Sequence, residues 1–127
     1  MTELTKILVA EDEPDIRELI KLALQFSGFE VVGASDGAEA VELATNDSFD
    51  LILLDVRMPR LTGYEACRRL KAIESTKNVP IVFLSAKGQE TEVDEGISAG
   101  AERYILKPFA PGALAGELKQ ILAAKEG

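Results

Sequence analysis

The sequence predicts a three-layer α/β domain, a parallel five-stranded sheet of order 2-1-3-4-5 with helices on both faces. Three observations predict it. Short, nearly unbroken apolar runs recur at Lys6 to Ala10, Leu51 to Leu54 and Ile81 to Leu84, and such runs suit strands buried on both faces of a parallel sheet. Segments with helical spacing lie between them, and alternating strands and helices need right-handed crossovers that cover the sheet. The runs at Glu30 to Ala34 and Glu102 to Leu106 mix in charge or glycine, which places them at the edges and the three apolar runs at the centre.

The helices follow in order. Ile16, Leu19, Ile20, Ala23 and Leu24 repeat at three and four residues and fall on one face of a first helix. Pro14 suits its first turn and Gly28 its end. A second helix starts after Asp36, with Ala40, Val41 and Ala44 facing inward. A third starts near Thr62, where Thr62 and Glu65 have capping-box spacing, and continues through Ala66, Leu70 and Ile73. The segment from Gly88 to Ala99 reads as a weak helix, because its interior Gly96 costs roughly 1 kcal/mol relative to alanine. Pro111 opens the last helix, whose apolar stripe is Leu114, Leu118, Ile121 and Leu122. The arrangement is flavodoxin-like, (βα)5, and in such sheets the ligand crevice lies at the carboxyl ends of strands 1 and 3. Residues 1–127 are expected to form one domain, with no output domain and no linker or repeat.

Composition narrows the function. The 46% hydrophobic and 28% charged fractions are those of an ordinary globular chain. No apolar run approaches the length needed to span a bilayer, and the single cysteine, Cys67, rules out an internal disulfide. A cytoplasmic location is expected. A formal net charge of −8 argues against direct binding to nucleic acid or an anionic membrane. The chain has no histidine, so its own chemistry must use carboxylates, hydroxyls, lysines or a metal held by oxygen. Cys67 is assigned to the core of the third helix, without a chemical role.

Reading the residue that follows each strand brings the chemistry together. Strand 1 ends in Glu11 and Asp12, strand 3 in Asp55, strand 4 in Ser85 and strand 5 in Lys107. Strand 2 ends in Ser35 and Asp36, remote from the crevice. Each residue alone has a plain explanation: acids favour helix N-termini, a serine is usually a loop hydroxyl, and a lysine is usually solvated. Together they differ. Three clustered carboxylates repel one another unless a cation joins them, and an all-oxygen set with room for a phosphoryl group suits Mg²⁺. Asp55 would supply a nucleophilic oxygen, Lys107 would neutralise phosphoryl charge, and Ser85 would hydrogen-bond one phosphoryl oxygen.

The stretches Ile7-Leu8-Val9-Ala10-Glu11-Asp12-Glu13, Leu53-Leu54-Asp55-Val56-Arg57-Met58-Pro59 with Gly63, Leu84-Ser85-Ala86, and Gly100-Ala101 with Tyr104 and Lys107-Pro108-Phe109 resemble the receiver domain of two-component response regulators. The resemblance covers the whole chain in the family's order. It implies that Asp55 accepts phosphate from a phosphohistidine on a sensor histidine kinase or histidine phosphotransfer protein. It implies that Asp12 and Asp55 ligate Mg²⁺ with the Arg57 backbone carbonyl, and that Glu11 acts largely through water. Lys107 would contact the phosphoryl group, Ser85 would move toward it, and Tyr104 would follow as a second switch residue. The segment Gly88 to Ala99, strand 5 and the last helix would then present an altered face to a downstream target protein. The domain would catalyse only its own phosphorylation and dephosphorylation, and so is not expected to be an enzyme in the ordinary sense.

Some positions depart from common members. Glu11 stands where many receivers have aspartate. Arg57 and Lys87 flank the site with extra cations, at positions that tune phosphate lifetime in the family. Glu117 stands where regulators that dimerise before binding DNA usually carry arginine, so a monomer is expected, with a phosphorylation-linked dimer as the alternative. A stand-alone regulator is preferred to an excised receiver. Two rival classes fit less well. A haloacid-dehalogenase-type phosphatase normally has a second aspartate two residues after its nucleophile, where this chain has Arg57. A flavodoxin-like flavin carrier must cradle phosphate in its first loop, which here is Glu11-Asp12-Glu13. A receiver that binds partners without phosphate is the third alternative.

Overall fold

The computed structural model describes residues 5–56, 58, 61–85, 103–106 and 111–126. Strands run over β1 (Lys6–Ala10), β2 (Glu30–Ala34), β3 (Leu51–Asp55), β4 (Ile81–Ser85) and β5 (Arg103–Leu106). Helices run over α1 (Pro14–Phe26), α2 (Gly37–Asn46), α3 (Gly63–Ala72) and the last helix, α4 (Pro111–Glu126). All four strand pairings are parallel, and the sheet order is β2-β1-β3-β4-β5. The expected sheet order and edges are therefore present. The expected helix at Gly88 to Ala99 lies outside the described residues, as does Glu102.

Strand residues alternate between two faces, and each face has its own core. Leu8, Ala10, Ile52, Leu54, Ile81 and Phe83 pack with α2 and α3 through Ala40, Ala44, Ala66, Cys67 and Leu70. Ile7, Val9, Leu51, Leu53, Val82 and Leu84 pack with α1 and α4 through Ile20, Leu24, Leu114, Ala115, Leu118 and Ile121. This explains the unbroken apolar runs: a strand covered on both sides has no solvent face to alternate with.

Helix ends follow the local chemistry. Pro14 opens α1, and Gly28, at φ +100°, turns the chain after it, a backbone region that glycine enters without a Cβ penalty. The Asp36 side chain accepts from Glu39 N at 2.8 Å and caps α2. Thr62 Oγ1 accepts from Glu65 N at 3.2 Å while Glu65 Oε1 accepts from Thr62 N at 3.3 Å, so the capping box at α3 forms as expected.

Two side chains sit differently from the expectation. Leu19 was placed on the inner face of α1, yet it is 53% exposed, with Leu22 and Phe26 also on the outside. The inner face is centred on Ile20 and Leu24, both fully buried. Leu19 lies about 100° from Ile20 around the helix, beyond what the sheet covers. Ile73 does not continue α3 but caps its end, with extended backbone (φ −96°, ψ 129°), and Thr76 Oγ1 donates to Leu70 O at 2.6 Å there.

Two glycines give opposite expectations. A Cβ on Gly37 would lie 2.3 Å from Leu61 O, a main-chain atom, whereas one on Gly116, exposed in α4, would meet nothing within 4 Å. Gly116→Ala should stabilise the fold by about 0.5–1 kcal/mol through helix propensity. Gly37→Ala should destabilise it by about 1–3 kcal/mol through overpacking. Chemical denaturation of the two variants beside wild type checks both signs.

Candidate functional site

The site is built where β1 and β3 end side by side. Their last pair is Ala10 with Leu54, so one step further along each strand come Glu11 and Asp55. Asp55 is itself the last residue of β3, held in the sheet opposite Leu84, and Val56 N donates to Leu84 O just beyond it. Glu11 continues the ladder on the other side, its N–H donating to Ala34 O at 3.1 Å. Asp12 follows at the surface.

These three residues converge. One carboxylate oxygen from each of Glu11, Asp12 and Asp55 lies within 4.8 Å of the other two. Glu11 is fully buried and Asp55 nearly so. The Asp12 carboxyl is held above its usual range, first by partial loss of water and then by the hydrogen bond to, and charge of, Glu11, with a smaller effect of Glu13. An all-carboxylate set whose members repel one another is the donor set of a hard divalent cation. The residues present therefore fit Mg²⁺, with Glu11, Asp12 and Asp55 as its holders.

Neighbours fix this geometry. Arg17, on the first turns of α1, donates from Nη1 to the Glu11 carbonyl at 2.7 Å. Gly63, the first residue of α3, donates N–H to Val56 O at 2.9 Å, and a Cβ there would lie 2.3 Å from the Asp55 carbonyl oxygen. Helix α3 thus starts directly on the backbone of Asp55. Behind it Tyr64 meets Phe83 edge-to-face, ring centroids 5.0 Å apart. Cys67 is buried in the same core and its thiol is pushed up to about 11 by burial, consistent with a packing residue.

The other expected site residues stand as follows. Ser85 ends β4 and pairs with Leu106, and Tyr104 lies in β5 opposite Phe83. Arg57, Lys87, Lys107, Pro108 and Phe109 lie outside the described residues. Asp36 is buried as the α2 cap. Residues that the sequence reading did not single out for the site are Arg17 and, as a contact residue, Gly63. Gly63 stands among the residues that carry the family resemblance, with no contact assigned to it there.

Comparison with known proteins decides the family. The family model for the response regulator receiver domain matches residues 7–119. The chain belongs to the response regulator receiver family. This receiver is 42% identical over 116 residues to the phosphate regulon transcriptional regulatory protein PhoB of Pseudomonas aeruginosa, covering 91% of this chain and 51% of that protein. It is 40% identical to the transcriptional regulatory protein SrrA of Staphylococcus aureus, covering 92% and 47%. The receiver spans about half the length of these curated relatives. Among solved structures it resembles the chemotaxis protein CheY4 of Vibrio cholerae (TM-score 0.90, 34% identity, 94% and 99% of the two chains). A CheY-like receiver domain protein of Methanospirillum hungatei superposes with a TM-score of 0.91 at 27% identity, covering 98% of each chain. Among the described residues no helix is long and apolar enough to cross a membrane.

The raised Asp12 carboxyl sets a pH and metal dependence. Because its folded-state pKa lies above the unfolded value, this group's contribution to stability is full below the ordinary carboxylate range and is lost as pH rises through the folded value. Asp12→Asn should therefore raise the melting temperature of the metal-free protein at neutral pH. Mg²⁺ at 100 times its dissociation constant should stabilise wild type by about 2.7 kcal/mol and the variant far less. Thermal melts with EDTA and with Mg²⁺, at pH 5 and pH 7.5, read both effects.

Proposed function

We propose that this receiver accepts a phosphoryl group on Asp55 from a phosphohistidine of a sensor histidine kinase or histidine phosphotransfer protein, in a Mg²⁺-dependent reaction, and so switches its signal to a downstream protein. What supports this most is the meeting of Glu11, Asp12 and Asp55 at the ends of β1 and β3, with ligand atoms within 4.8 Å, in a chain of the receiver family. The chain contains no histidine, so the donor must be another molecule. A cytoplasmic location belongs to the same reading.

In the transfer an Asp55 carboxylate oxygen forms a bond to phosphorus as the phosphorus–nitrogen bond of the donor breaks. The bonding pair returns to the imidazole, which takes up a proton. Asp55 suits the attacking role because it is fixed at a strand end beside Glu11 and Asp12, with its backbone held by β4 and α3; positioning of this kind supplies much of the acceleration in phosphoryl transfer. Bound Mg²⁺ would supply neutralising charge for the three carboxylates and the incoming phosphoryl oxygens. Lys107 is assigned to a phosphoryl oxygen, Ser85 to a second, and the Arg57 carbonyl to the metal. Ser85 and Tyr104 are assigned the switch, with residues 88–99, β5 and α4 as the signalling face.

Intact-protein mass after incubation with acetyl phosphate or a phosphoramidate, with and without Mg²⁺, tests this directly. Wild type should gain one phosphoryl group only when Mg²⁺ is present, and Asp55→Ala none. An adduct that persists in Asp55→Ala would place the acceptor elsewhere, and no adduct in wild type would leave a receiver that binds partners without phosphate.

A further inference from the structure

The loop that carries Glu11 and Asp12 is braced from outside the carboxylate cluster. The Glu11 main chain is held at both ends, its N–H by Ala34 O on β2 and its carbonyl by Arg17 Nη1 at 2.7 Å. The brace has a floor. Gly33, in β2 opposite Val9, carries the aliphatic stems of Arg17 and Lys21 on its bare Cα. A Cβ there would lie 3.2 Å from the Cδ of each and 3.5 Å from Arg17 Cγ. A glycine inside a strand is unfavourable in itself and marks close approach of other atoms. Here it lets the Arg17 stem lie flat on β2 so that the guanidinium reaches across to the β1 end.

We propose that Arg17, seated on Gly33, is a positioning residue for divalent-cation binding: it fixes the Glu11 carbonyl and so aims the Glu11 and Asp12 carboxylates at one ion shared with Asp55. This rests on the Mg²⁺ reading of the cluster. The sign of its effect separates it from simpler roles. A cation at the Glu11 carbonyl repels an incoming Mg²⁺, so an Arg17 acting only through its charge would tighten metal binding when removed. A purely structural Arg17 would lower stability and leave the folded protein's affinity unchanged. A positioning Arg17 weakens binding when removed, as loss of groups that orient ligands typically costs 10-fold or more in metal affinity.

The experiment is a Mg²⁺ titration of the full chain, followed by the amide resonances of residues 11 to 13, for wild type, Arg17→Gln, Arg17→Lys and Gly33→Ala. It is run at a temperature where melts show each protein fully folded. The expected result is a dissociation constant raised about 10-fold or more in Arg17→Gln. It should rise also in Arg17→Lys, which keeps the charge but lacks the planar fork, and in Gly33→Ala, which keeps Arg17 but lifts its stem. Should Arg17→Gln not fold, the other two variants decide. Unchanged or tighter binding in the folded variants overturns the proposal. Wild type that fails to bind Mg²⁺ overturns the metal reading beneath it, a result seen before any variant is compared.

Discussion

The adjacency of β1 and β3 is the constraint from which the rest of this molecule follows. The chain winds from β1 outward to β2 on one side, then returns to β3 and continues to β4 and β5 on the other. The crossovers on the two sides therefore leave in opposite directions: α1 packs on one face of the sheet, α2 and α3 on the other. In parallel sheets that reverse in this way, the ligand crevice lies at the carboxyl ends of the two strands flanking the reversal. Any residue one step beyond the Ala10–Leu54 pair is delivered to that crevice. The sequence writes acids at both of those steps.

This arrangement opposes itself electrostatically. Glu11 is buried, Asp55 is nearly buried, and Asp12 is held above its usual pKa range by lost water and by Glu11. Like charges in the cluster push its members apart, against the hydrogen bond between Asp12 and Glu11. They are held by the apolar strands behind them, since Ile7 to Ala10 and Leu51 to Leu54 are fully buried, and burying a side chain of this size contributes roughly 1.5–3 kcal/mol. The close start of α3 on the Asp55 carbonyl works in the same direction. The core keeps the carboxylates together, and a divalent cation would relieve their repulsion. Carboxylates held together by a core behind them suit a charged ligand better than a relaxed acidic surface patch does.

Much of this was legible in the residues themselves. Unbroken apolar runs revealed both the parallel sheet and its central strands, because burial on two faces removes the alternation that an exposed strand would show. The carboxylates were legible because strand ends are easily counted once strands are placed. Leu19 was misread because helical spacing of apolar residues does not state how wide a face the sheet will cover; α1 carries more apolar residues than its contact can bury. Ile73 was misread because its stop comes from Thr76 bonding back to the Leu70 carbonyl, a local closure with no distinctive residue at the end itself. Arg17 was invisible for a different reason. One arginine on a polar helix face looks like any solvated cation, and only three dimensions show that its target is a main-chain carbonyl six residues earlier.

Gly33 ties the edge of the sheet to the end that carries the carboxylates. In the sequence it marked β2 as a weak strand and hence an edge strand, which is where β2 lies. Its packing gives that weakness a physical use. A Cβ at this position would meet Arg17 and Lys21 stems at 3.2 Å, closer than a side chain is normally accommodated without a shift. Without it, two long cationic side chains cover the outer strand with their methylenes while their heads remain polar, as such side chains do at surfaces. The strand that contributes no acid to the cluster therefore contributes to it twice, once through the Ala34 carbonyl and once by seating Arg17. A substitution in β2 should be read for its effect on the Glu11 main chain as well as for its effect on the sheet.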